Sequence, residues 1–123
     1  MQQGRPRRVG EQIRKDIASL LNKGIKDPRI GFVSVMEVRM SPDLAYANVY
    51  VSLLGSDSER ESSLIGLRKA SGWIRRQIGR QLRLKQTPEI RFFQDTTLDE
   101  VERLEEVFRE IHAEEEQDAD EDQ

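Results

Sequence analysis

A chain of 123 residues makes about one domain, and with 36% apolar against 35% charged residues its core has to be small. Cys is absent, which excludes disulfides and thiolate metal sites, and no apolar run approaches the roughly 20 residues of a membrane span. The net charge of −3 averages two opposite regions: residues 1–94 hold 18 Lys+Arg against 9 Asp+Glu, and residues 95–123 hold 2 Arg against 14 Asp+Glu.

Residues 1–8 contain Arg5, Arg7 and Arg8 with no apolar stretch behind them. They are no signal peptide and are expected to form a flexible basic arm, with a reducing cytoplasm as the compartment. From Val9 the apolar positions Val9, Ile13, Ile17, Leu20 and Leu21 recur every three to four residues, which predicts a helix. Gly24 suits its left-handed C-terminal position, and Asp27-Pro28-Arg29 is a turn. Phe32–Met40 and Ala45–Leu54 read as two strands of a hairpin around the turn Ser41-Pro42-Asp43-Leu44. In the second strand Ala45, Ala47, Val49, Val51 and Leu53 alternate with Tyr46, Asn48, Tyr50 and Ser52, so one face is buried.

Ser58-Glu59-Arg60-Glu61 has capping-box form for a helix running through Leu64 and Leu67 to about Ala70. Ser71-Gly72 interrupts it, and a third helix resumes over Trp73–Leu82 with Ile74, Ile78 and Leu82 on one face. Thr87-Pro88 forces extended backbone, and Glu89–Gln94 is a third strand. A second capping box, Thr97-Leu98-Asp99-Glu100, opens a last helix with Leu98, Val101, Leu104, Val107/Phe108 and Ile111 as its apolar stripe. Residues 113–123 are too acidic and too poor in apolar groups to fold alone and form a disordered tail. The domain proper is then 9–112, with the sheet packed against three body helices and a right-handed crossover joining strand two to strand three.

The positive charge is concentrated. Between Ser62 and Gln94 lie eight cations and a single acid, Glu89. Arg76, Arg80 and Arg83 line up opposite Ile74, Ile78 and Leu82. Like charges at that spacing cost a helix a few tenths of a kcal/mol, a cost that phosphates would remove. The competing reading is an ordinary solvated basic face. Gly72, beside Lys69 and Arg75, either admits a close-approaching phosphate backbone or is a hinge. The N-terminal arm, leading into Arg14 and Lys15, either tracks along RNA or is a terminus without a role. Trp73, Tyr46 and Tyr50 are candidates for stacking on bases. For Trp73 the plainer reading is a residue at the edge of the core. For the tyrosines, the openness of the hairpin's outer face decides.

Catalytic patterns are missing. His112 is the only His, no phosphate-binding glycine loop is present, and the body's acids are scattered. No enzyme, metal site or cofactor is expected, although a two-metal nuclease built on carboxylates is the rival to test.

Several blocks together resemble the ribosome-binding factor A family. They are Arg8-Val9-Gly10-Glu11-Gln12-Ile13-Arg14, Lys26-Asp27-Pro28-Arg29-Ile30-Gly31-Phe32, Ser41-Pro42-Asp43-Leu44, Ala70-Ser71-Gly72-Trp73-Ile74-Arg75 and Leu82-x-Leu84-Lys85-x-Thr87-Pro88-Glu89-Ile90. The resemblance spans about residues 5–110. It implies an α+β, KH-like (type II) domain ordered helix-strand-strand-helix-kink-helix-strand, in which Ala70-Ser71-Gly72 forms a structural kink in place of the Gly-x-x-Gly nucleotide clamp. It further implies a monomeric, non-catalytic factor that binds the free 30S subunit near the 5′-end region of 16S rRNA. Such a factor promotes late small-subunit maturation and 16S rRNA processing, and supports growth in the cold. The expected RNA-binding residues are Arg5, Arg7, Arg8, Arg14, Lys15, Lys69, Ser71, Gly72, Arg75, Arg76, Arg80, Arg83 and Lys85. The partners are the 30S subunit and 16S rRNA with its precursor, and ribosomal proteins are candidates for the acidic tail.

Overall fold

The computed structural model describes residues 4–25, 27–82, 86–96 and 103–114. Helix α1 (Arg5–Asn22) is followed by β1 (Val33–Met40), β2 (Tyr46–Leu53), α2 (Asp57–Gln81) and β3 (Glu89–Gln94). A further helix, α3, covers 103–114. The three strands stand in the order β1-β2-β3, with β1/β2 antiparallel and β2/β3 parallel. The parallel pair requires a crossover, and α2 supplies it.

The strands fall within one residue of where the alternation puts them. On β2 the side chains of Ala47, Val49, Val51 and Leu53 are buried. They meet Val38 and Met40 of β1 and Ile90 and Phe92 of β3 in one core, which Ile13 and Ile17 of α1 and Leu67, Ile74 and Ile78 of α2 close from above. A β-bulge at Met36 shifts the β1/β2 register between Val35 and Glu37, which keeps apolar side chains on the core face along all of β1. The hairpin turn is as expected: the Leu44 N–H donates to the Ser41 carbonyl at 2.9 Å. Asp43 Oδ1 accepts from the Ser41 hydroxyl and the Ala45 N–H, and Leu44 takes a φ of 60°.

Three expectations need correction. First, Arg5, Arg7 and Arg8 are not an arm but the opening turns of α1. Pro6 stands in the first turn, where its missing N–H costs nothing and its fixed φ favours the helix. Second, the cap of α2 is Ser56, not Ser58: its hydroxyl accepts from the Glu59 N–H at 3.2 Å while the Glu59 carboxylate accepts from the Ser56 N–H.

Third, no interruption occurs at Ser71-Gly72. The helix passes through Ala70, Ser71 and Gly72 as one 25-residue element, so two body helices cover the sheet instead of three. Glycine in a helix costs about 1 kcal/mol against Ala. Burying each of Leu67, Ile74 and Ile78 on the same helix returns roughly 1.5–3 kcal/mol. The Ser71 hydroxyl donates back to the Arg68 carbonyl at 2.7 Å, a bond that bends helices slightly without ending them. Helix α3 stands apart from the core. All of 103–114 is exposed, Leu104, Val107, Phe108 and Ile111 included. The second capping box and residues 115–123 lie outside the described residues.

Candidate nucleic-acid interface

The outer face of α2 is built by helical geometry alone. At about 100° per residue, Lys69, Trp73, Arg76 and Arg80 fall within an arc of about 60°, turned away from Leu67, Ile74 and Ile78. The last three have no exposed surface, whereas the four outer residues are all exposed. No acid occurs between Ser62 and Gln81. Among the described residues, Lys69, Arg76 and Arg80 form no ion pair. Gly72 opens a gap on the same side: a Cβ placed there would meet nothing within 4 Å.

A different side of α2 holds the fold. Arg75 Nη2 and Nε donate to the Thr87 carbonyl at 2.9 and 3.3 Å. Arg68, two helical turns earlier, donates to the Phe92 carbonyl at 3.2 and 3.4 Å. These two guanidiniums tie α2 to the segment carrying β3. Arg75, expected as a phosphate ligand, is therefore first a clamp, although the residue is exposed. Sequence reasoning misses Arg68, for which the spacing of seven from Arg75 is the only available hint.

The remaining expected residues divide by helix. Arg5, Arg7, Arg8 and Lys15 are exposed on α1, which packs over β1. Arg14 is engaged: its guanidinium meets the Glu11 carboxylate at 2.6 and 3.0 Å. That hydrogen bond holds Glu11 below the usual carboxylate range and raises Arg14. Ser71 is half-buried, with its hydroxyl spent on the Arg68 carbonyl. Arg83 and Lys85 lie outside the described residues. The structure thus brings together Lys69, Gly72, Arg76 and Arg80, and places the α1 cations on a separate element.

The outer face of the sheet is open, and it too carries aromatics and arginines. Here they are matched to one another. The Arg91 guanidinium lies 3.9 Å from the Tyr46 ring centroid, and Tyr50 stacks on Phe93 at 5.6 Å. Arg39 bonds Glu37 at 2.9 Å, which raises the Arg39 pKa. Among the described residues no group of three or more His, Cys, Asp or Glu comes together as a metal site, and no helix is long and apolar enough to cross a membrane.

Comparison with known proteins gives one answer. A family model described as ribosome-binding factor A matches residues 5–108. A Brevibacillus brevis protein of that name is 44% identical over 114 residues, covering 93% of this chain and 94% of the relative. An NMR structure of a Thermotoga maritima protein, described as a putative ribosome binding factor A, is 38% identical with a TM-score of 0.66, over 73% of this chain and 86% of that one. A Thermus thermophilus ribosome-binding factor A fitted into the cryo-EM map of a 30S complex shares the fold. Its TM-score is 0.61 at 23% identity, over 73% of this chain and 94% of that one. With the match running from α1 through β3 into α3, the chain belongs to the ribosome-binding factor A family.

Proposed function

We propose that this protein is a non-catalytic assembly factor that binds the free 30S subunit through 16S rRNA, the outer face of α2 being its main contact. The observation that carries the reading is the run Lys69, Arg76 and Arg80, exposed on one helix face and without ion pairs among the described residues. Three like charges within one arc repel each other. A phosphate backbone turns that repulsion into attraction and releases counterions in the process. A face rich in charge and poor in groups that read base edges recognises shape more than sequence. Bound in this way, the factor would hold an rRNA conformer through late maturation and 16S processing, in the cytoplasm and with the greatest effect in the cold. Arg5, Arg7, Arg8 and Lys15 on α1, with Arg83 and Lys85 beyond α2, would extend the contact. The 30S complex of the Thermus thermophilus relative supports the choice of partner.

The test is co-sedimentation of Arg76→Glu/Arg80→Glu protein with immature 30S particles. Both side chains are exposed and, among the described residues, without an ion pair, so the fold should survive and association should be lost. Unchanged association would remove α2 as the interface. Removing 113–123 tests the acidic end separately. Loss of 30S association would assign binding to the tail and to a basic protein partner, and retention would leave it with the body.

A further inference from the structure

We infer that Trp73 is a stacking platform for an unpaired base, so that the RNA site on α2 takes single-stranded or bulged RNA in preference to continuous duplex. The inference rests on the proposed α2 interface and adds to it the form of RNA that the interface accepts.

Three observations converge on this ring. Trp73 is the only Trp of the chain, and it is 40% exposed. It is neither in the buried core nor among the partly buried apolar residues packed against that core. Packing therefore covers only part of this large ring and leaves two fifths of it in water. Its ring also has no aromatic or cationic partner among the described residues. The one stacked aromatic pair there is Tyr50–Phe93, and the one cation over a ring is Arg91 on Tyr46. Finally, Trp73 sits about one helical turn from Lys69 on one side and from Arg76 on the other, at about 4.5–6 Å rise, with Gly72 beside it leaving the approach open.

An exposed indole amid like charges is a poor arrangement for water alone. It becomes a good one when a nucleotide supplies both an anion and a π-face. Phosphates engage the flanking cations while the base covers the ring, an interaction that contributes at each base and tolerates any sequence. Base faces inside a continuous helix are already covered by their neighbours. Only an unpaired, bulged or terminal base can offer one.

The single Trp is its own reporter. Fluorescence titrations at low salt with an unstructured RNA strand of about a dozen nucleotides, and with a blunt duplex of equal length, read the ring directly. The strand should quench Trp73 strongly and the duplex weakly. Trp73→Leu should lower affinity for the strand by about 5- to 100-fold, leave duplex affinity within about twofold, and leave the urea midpoint unchanged. Trp73→Phe should recover most of the loss. Equal quenching by both RNAs, or a Trp73→Leu protein that binds the strand normally, overturns the inference. Failure of the α2 interface is distinguishable, because Arg76→Glu/Arg80→Glu would then bind RNA as well as the parent does. Loss of 30S association in Trp73→Leu with unchanged affinity for both RNAs would instead place the ring against a protein, and would also overturn it.

Discussion

Two outward faces of this molecule contain the same residue types and use them oppositely. On the sheet, Arg39 is bonded to Glu37, Arg91 lies on Tyr46, and Tyr50 stacks on Phe93. On α2, Lys69, Arg76, Arg80 and Trp73 are also exposed, and among the described residues the three cations form no ion pair and the ring has no aromatic or cationic partner. Exposure of arginine and aromatic groups is therefore no indicator of binding by itself. The difference lies in whether the chain supplies the partners. A self-satisfied face has already gained what pairing offers, and a ligand would have to displace it. The α2 face has everything to gain from an anion.

That contrast can be broken by experiment. The largest effect should come from salt. With Arg76→Gln/Arg80→Gln, the dependence of log affinity on log salt should flatten by about 0.7 for each RNA phosphate that the protein no longer neutralises. Arg39→Gln/Arg91→Gln should leave that slope unchanged. An equal effect from the sheet pair would erase the distinction between the faces. Next come the two clamps. Arg68→Ala should lower stability by about 1 kcal/mol in urea unfolding, because its bond to the Phe92 carbonyl is removed, with no change in the salt slope. Arg75→Ala should likewise lower stability by about 1 kcal/mol, because its bonds to the Thr87 carbonyl are removed.

Gly72→Ala sharpens the point from the other direction. Helix propensity predicts a gain of about 0.5–1 kcal/mol in stability, because the added methyl meets nothing. Weaker 30S association in this stabilised protein would show that RNA backbone passes close to residue 72. The smallest effect lies at the turn after α1, where the Lys69 charge adds only a minor part. Asp27 is bonded by Arg29 through its side chain and backbone, which pulls its pKa from 3.8 down to about 2. The folded state thus holds its proton less tightly than the unfolded state. The stabilisation is fully present above about pH 4 and is lost as pH falls towards about 2. Asp27→Asn should remove that part of the acid sensitivity and leave binding at neutral pH intact.

Much of this is legible in the sequence, for reasons that can be named. The period-two pattern of Ala47, Val49, Val51 and Leu53 fixes β2, and Gly24, at φ 86°, takes the left-handed position beyond α1 as expected. The alignment of Arg76 and Arg80 follows from helix periodicity alone. Two kinds of fact are not legible. Local signals are outweighed by tertiary burial, so Ser71-Gly72 reads as a break while Leu67, Ile74 and Ile78 hold the helix together. Long-range polar contacts leave no periodic trace: nothing in the order of residues says that Arg75 reaches the Thr87 carbonyl. Trp73 combines both problems. Its neighbour Ile74 is buried, and one step along a helix is about 100° of rotation, enough to carry the indole to the outer side.

The unbroken course of α2 also constrains how this chain can change. The core residues Leu67 and Ile78 flank the stretch that presents Lys69, Trp73 and Arg76, all on a single rigid screw. Inserting or deleting one residue between them would turn everything downstream by about 100°. Either Ile74 and Ile78 would leave the core, or the cations would swing away from their arc. Substitutions can retune this helix one side chain at a time. Its length has no neutral step available, because the same spacing is read by the interior on one side and by the ligand on the other.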